Sequence, residues 1–484
     1  MRPALFLALT WWASGPTQAH GFQERYDLPV PLSYVVAGAV AAVLLTFVAA
    51  VLFARRPTQT PLAREREPES DAPTQRPSRV VAFTRGFSFL LLALTIASAL
   101  WGSRDPLMNL APTMIWIVWW VGLSFATALL GNFWPALDPW RASFDLLDAW
   151  VRKLGRPGGL SLGWTWPSRL GVWPAVLLLL AWCWLEVVYP LASSPFKLGC
   201  AALSWSVFNW AGMACFGRRQ WQEHADVFAL YFSTLGRMAP IGFSADKQAV
   251  SSPAPGPRRD RVSFRPAAGQ VGFVMATLST VIFDGLHGGS AWNLFEGTLR
   301  KLAPQWVDVN GYFTSTLGLV LVWLVFLSAY VTICHASLAL MRPAIGADER
   351  APYTTRLAFA MVPIAAAYNV AHNFSSLVIQ GQTIVQLLSD PFGRQWDLFG
   401  TARAYPNIGL VDARLTWHVA VLAIVLGHAV SIWSSHRVAL SAGLSARRTA
   451  LATLPLTLLM LAYTAVSLTL ITEPMVAEGT ATRP

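Results

Sequence analysis

The chain has 484 residues, 54% of them hydrophobic and only 13% charged, with 23 Trp and a mean hydropathy of +0.46. This excludes an ordinary soluble domain, because apolar runs of about 20 residues recur along the whole length and each is long enough to cross roughly 30 Å of hydrocarbon. The formal net charge of +11 follows from membrane topology, as set out below, and gives no reason to expect nucleic-acid binding.

At the N-terminus, Arg2, the short apolar run "ALFLALTWWA" and the small residues Thr17 and Ala19 predict a signal peptide over residues 1–19. Cleavage after Ala19 gives His20 a free α-amine, so that one residue can offer a metal both its amine and a ring nitrogen. Ten apolar runs follow, near 32–54, 83–101, 113–131, 171–189, 198–216, 269–286, 313–341, 357–380, 415–434 and 450–471. In lipid each must be helical, since no water is present to satisfy open backbone groups. The expected fold class is therefore all-α, a polytopic transmembrane helix bundle of about ten spans after the signal peptide.

The organisation expected along the chain is an N-terminus and first helix over 20–54 and a disordered linker over 55–82, rich in Pro, Arg, Glu, Ser and Thr. Four spans with two interfacial helices follow over 83–240, then a loop over 241–268 and five spans over 269–484. Segments 55–85, 132–170, 217–268, 342–356 and 435–449 hold 26 of the 36 Lys and Arg residues. The positive-inside rule then places them in the cytoplasm. Both mature termini are expected in the periplasm, with the chain in the inner membrane of a bacterium and the lipid bilayer as its first partner. Homo- and hetero-oligomers both stay open.

Cys183, Cys200, Cys215 and Cys334 show no CxxC spacing and read as buried thiols rather than a zinc knuckle or disulfide framework. An internal echo pairs Gly131, Trp140 and Asp145 with Gly212, Trp221 and Asp226 at a constant offset of 81 residues, each set leading into an amphipathic segment. Chance among frequent residues is the alternative reading.

Polar groups within membrane helices are costly and are the natural functional candidates. Asp284 and His287 stand three apart at the outer end of the sixth run. Tyr368, Asn369, His372 and Ser376 form a stripe on the eighth, and His418 and His428 occupy the ninth. His20, Asp284, His287 and His372 make a candidate ligand set for a divalent metal, with His418 and His428 as groups that orient a ligand or shuttle a proton. Each also has a plainer reading, as an interfacial cap or an interhelical hydrogen bond. Glu186 is a further candidate. His335 lies apart from the set, and His224 and His436 read as solvated on the inner side. The Trp-rich stretch Trp116–Trp120 reads as packing. The long segment 389–415 is a candidate lid.

The stretches "AHGFQERYDLPVPL", "LLGNFWPALDPWR", "AHNFSSLVIQGQ", "SDPFGRQWDLFGT" and "VLGHAV", in this order, resemble the bacterial polytopic membrane proteins of the fenitrothion hydrolase family over nearly the whole mature chain. The resemblance implies hydrolysis of an organophosphorus triester at the bond from phosphorus to the aryl oxygen, with a small apolar aryl phosphotriester as substrate. It carries no active-site motif onto named residues. Two rival readings stand beside it, a transporter or metal-handling membrane protein and a non-catalytic subunit of a membrane complex.

Overall fold

A computed structural model describes residues 31–53, 79–237, 239–241, 266–304, 311–341 and 345–472. The signal segment, His20 and most of the Pro- and Arg-rich linker lie outside the described residues. All regular structure among the described residues is helical.

The helices, in chain order, are α1 (Leu32–Phe53), α2 (Arg79–Trp101), α3 (Leu110–Leu130), α4 (Pro139–Lys153), α5 (Trp173–Val188), α6 (Pro195–Phe216), α7 (Arg218–His224) and α8 (Val227–Gly236). After these come α9 (Gln270–His287), α10 (Ser290–Leu302), α11 (Tyr312–Leu340), α12 (Ala347–Phe359), α13 (Val362–Gln380), α14 (Thr383–Ser389), α15 (Ala413–Leu440) and α16 (Ala446–Thr472). Every one of the ten apolar runs is helical, and seven helical segments are long and apolar enough to cross a membrane. The remaining three runs fall short for separate reasons. The α5 helix is brief. The α9 helix breaks at Gly288 and Gly289 and turns by 82° into α10. The α6 helix carries Lys197, Ser204, Ser206 and Asn209 among its apolar residues.

The centre of the bundle is α13, which packs on α15, α9 and α3, while α15 in turn packs on α1 and α16. The approach of α13 to α15 is closest at Gly427, where a Cβ would collide with Ala367 and with the Pro363 carbonyl. A glycine is required there because the Ala367 methyl and the Pro363 backbone occupy the space a side chain would need.

Between α3, α5, α6 and α8 lies an aromatic layer. Trp119 is in ring contact with Trp120, Trp134, Trp140, Trp182 and Phe228, mostly edge to face, the arrangement that ring quadrupoles favour. The run Trp116–Trp120 is thus packing, as its composition suggested, with one exception taken up below.

Two sequence readings change. His436 is buried, beside Thr453 and edge-on to Phe47, because α15 continues to Leu440 with its last turns sheltered by α1 and α16. The echo also divides: Asp226 is a buried helix cap, whereas Asp145 sits mid-helix on α4 and pairs with Arg218 at 2.7 Å.

Candidate functional site

The α9 and α13 helices change character along their length. Residues 272–280 of α9 are all buried, as are Ile282 and Phe283, but 284–287 are all partly accessible. On α13, Tyr368, Asn369 and Ala371 are buried, and every residue from His372 to Gln380 is partly accessible. Partial access on all faces of a central helix means that it borders a recess, since packing alone would seal at least one face. Asp284 and His372 are the first residues of these accessible stretches, with the His372 Nε2 atom 2.9 Å from Asp284 Oδ2 and side-chain exposures of 24% and 33% for the histidine and the aspartate.

Around this pair the chain collects further polar groups from two more helices. Both α3 and α5 widen locally into π-helix, over Thr113–Gly122 and Trp184–Val188, a distortion that often re-aims side chains at functional sites. The two widened stretches meet where Trp120 Nε1 donates to Glu186 Oε2 at 3.0 Å. Glu186 and Asp284 are close enough to feel each other's charge, and the Cys183 thiol is near Thr280 and within reach of both charges. Tyr231 of α8 stacks on Trp120 with ring centroids 4.6 Å apart, and its hydroxyl is 3.5 Å from Asn369 Nδ2. One turn below His372, the Tyr368 hydroxyl occupies the space beside Gly285 where a Cβ would go. That hydroxyl has no hydrogen-bond partner among the described residues.

The other predicted site residues go elsewhere. His287 turns to α11, where its Nε2 is 2.8 Å from Ser315 Oγ and its ring rests on Trp292. Because α9 lies between α13 and α11, residues three apart on it straddle the two neighbours rather than facing one. His418 is exposed and spends its Nδ1 on the Arg414 carbonyl. His428 is buried, with Nδ1 on the Ile424 carbonyl and its ring 5.5 Å from Tyr463. Its Nε2 and the Ser431 hydroxyl have no hydrogen-bond partner among the described residues, and the Tyr463 and Ser467 hydroxyls lie beside each other on α16, so a polar column continues below Tyr368. His20 lies outside the described residues. No group of three or more His, Cys, Asp or Glu side chains disposed to hold a metal occurs among the described residues.

Segment 389–415 is tied down along its first part. Ser103 N–H donates to the Phe392 carbonyl, Leu110 N–H to the Pro391 carbonyl and Arg394 to the Trp101 carbonyl. Asp397 accepts from the Ala402 N–H and the Ser389 hydroxyl, which hold its carboxyl below the usual range.

A second acidic centre lies across the aromatic layer. Asp138 caps α4 by accepting from the Trp140 and Arg141 N–H groups, and its other oxygen accepts from Gln222 Nε2 at 2.6 Å. Asp226 caps α8 through the Phe228 and Ala229 N–H groups, and the Asn209 amide lies beside its carboxyl. Neither residue belongs to a spanning helix, and both are fully buried. Burial pushes Asp138 up to about 6, against the pull of its helix N–H groups and of Arg141 and Arg85. Burial, and then the neighbouring Asp138 charge, push Asp226 up to about 7.

A cavity of about 600 Å³ borders the aromatic layer, with walls that include Trp119, Trp140, Trp182 and Phe228. Trp119 and Trp182 are both in ring contact with Trp120, the tryptophan that holds Glu186. Comparison with protein-family models, curated proteins and solved structures finds no match to this chain.

The sequence pointed to Asp284, His372 and, as a secondary candidate, Glu186. It did not single out Trp120, Tyr231 or Asn369 as members of one cluster. Asn369 shares the His372 stripe, but Trp120 and Tyr231 sit in apolar runs whose pattern carries no polar signal.

Proposed function

We propose that the chain is an integral membrane hydrolase of neutral organophosphorus triesters, with Asp284 and His372 as its water-activating pair. The observation that carries this reading is the 2.9 Å contact between two partly accessible side chains on adjacent helices of a membrane bundle. With Nε2–H donated to Asp284, the lone pair of His372 resides on Nδ1, which is the tautomer a general base needs. His372 takes a proton from water as the water oxygen attacks phosphorus. The bond from phosphorus to the aryl oxygen breaks, and the aryl oxide leaves with the electron pair.

The divalent metal expected from the sequence would take Asp284 and His372 as donors. Among the described residues no third donor joins them, and the steps above use only the chain's own groups. An aryl substrate suits the aromatic-walled cavity next to Trp120, since apolar pockets with a few fixed polar groups are the usual form of small-molecule sites. The resemblance to the fenitrothion hydrolase family supports the same substrate class. In this reading the bundle has ten spans after a cleaved signal peptide. The distribution of basic residues orients it in the inner membrane with both termini and the Asp284 end in the periplasm.

The test is nitrophenol release from a nitrophenyl phosphotriester by the purified, correctly processed chain. Release by the parent chain that is lost in Asp284→Asn is the expected result; equal release by both overturns the assignment. A second reading, transport of protons or cations, is favoured by the unpartnered polar atoms of Tyr368, His428 and Ser431. It predicts uptake into sealed vesicles with no nitrophenol released.

A further inference from the structure

We propose that a cavity at the end of α9 remote from Asp284 binds the headgroup of an anionic phospholipid. The cavity holds about 610 Å³ and lies where the start of α9, the last part of α11 and the first turns of α12 come together. Its two sides differ in chemistry. Leu327, Val331 and Leu338 of α11 form an aliphatic wall, and Val331 is 41% exposed on a helix long enough to cross the membrane. Gln270, His335 and Arg350 supply polar groups to the same space. The floor is fixed by the Tyr330 hydroxyl, which donates to the Thr354 carbonyl and joins α11 to α12.

Arg350 is the decisive residue. It is half-buried, lines the cavity, and has no ion pair or side-chain hydrogen bond among the described residues. A guanidinium cannot shed its proton and presents five donors in a planar fork. Within a partly apolar cavity it therefore calls for an anion, and a phosphate diester is the planar-fork partner that also carries chains for the aliphatic wall. Asp348 and Glu349, the acidic residues just before it, are exposed and take no part in the lining. Basic pockets between spanning helices are where anionic headgroups bind. The site needs no contribution from Asp284 or His372.

The experiment uses the full chain in detergent, with lipid binding followed by native mass spectrometry and by thermal unfolding. Phosphatidylglycerol is expected to bind and raise the unfolding temperature, while phosphatidylcholine does neither. Arg350→Gln is expected to weaken phosphatidylglycerol binding by about fivefold or more, the effect of one basic side chain at a membrane surface. Arg447→Gln, an exposed basic residue elsewhere, leaves binding unchanged. Val331→Trp, which fills the aliphatic wall but keeps Arg350, also weakens binding and guards against a folding defect in the first variant. Equal binding of both lipids, or unchanged binding in both cavity variants, overturns the proposal. So does inorganic phosphate reproducing the stabilisation in an Arg350-dependent way, which would make this a free-anion site.

Discussion

The two acidic centres each hold a pair of carboxyl side chains and differ in what surrounds them. Asp138 and Asp226 are sealed: each carboxyl is spent on capping a helix, and water reaches neither. Asp284 meets His372, Glu186 accepts from the Trp120 indole, and all three ionisable side chains stay partly accessible. A carboxyl committed to backbone N–H groups and a neighbouring side-chain amide holds chain segments in place. One that holds a histidine beside a recess has a proton acceptor to offer. The contrast teaches that burial alone does not mark the site, because the most buried acids here serve architecture.

The largest effect expected from this contrast is on activity. Asp284→Asn or His372→Gln should lower phosphotriester turnover by about 10²–10⁴-fold, the usual weight of general-base catalysis, with the unfolding temperature little changed. Asp138→Ala should do the reverse. Losing the cap and stranding the Gln222 amide should cost about 2–4 kcal/mol of stability, read by denaturant or thermal unfolding, with turnover per folded molecule retained. Asp138→Asn should be milder, because asparagine caps a helix equally well.

The sealed pair should also imprint a pH dependence. Its folded-state values of about 6 and about 7 lie above the ordinary 3.8, so the folded chain keeps protons that the unfolded chain releases. Stability from this source is complete below the ordinary carboxylate range and is lost as pH rises to about 7. Asp226→Asn should flatten the fall in unfolding temperature across that window; an unchanged slope would show that other groups cause it. The smallest effect expected is for Gly285→Ala. The added Cβ meets the Tyr368 hydroxyl and should cost about 1 kcal/mol through overpacking, with a measurable drop in turnover as Tyr368 shifts beneath His372.

Much of the fold was legible because the membrane leaves the backbone little choice. Each apolar run had to be helical, and all ten are. Hydropathy could not show that α5 and α3 would widen into π-helix or that α9 would bend by 82°. Those features depend on neighbours, and the widened stretches are what bring Trp120 to Glu186. At the site, Asp284 and His372 were legible as costly polar groups in apolar runs. The grouping of Asp284 with His287 was not, because spacing along one helix does not say which neighbour each residue will meet. His287 went to Ser315 on α11, and Asp284 to His372 on α13. Tyr231 and Trp120 carried no signal at all, since aromatic residues in apolar runs are ordinary packing.

The most direct test sets two histidines near Asp284 against each other. Turnover of a nitrophenyl phosphotriester is measured for His372→Gln and His287→Gln, in the same full-length chain reconstituted in the same lipid. The account predicts a loss of at least about 10²-fold for His372→Gln and turnover close to that of the parent chain for His287→Gln. Equal losses in the two variants, or full activity without His372, would contradict it.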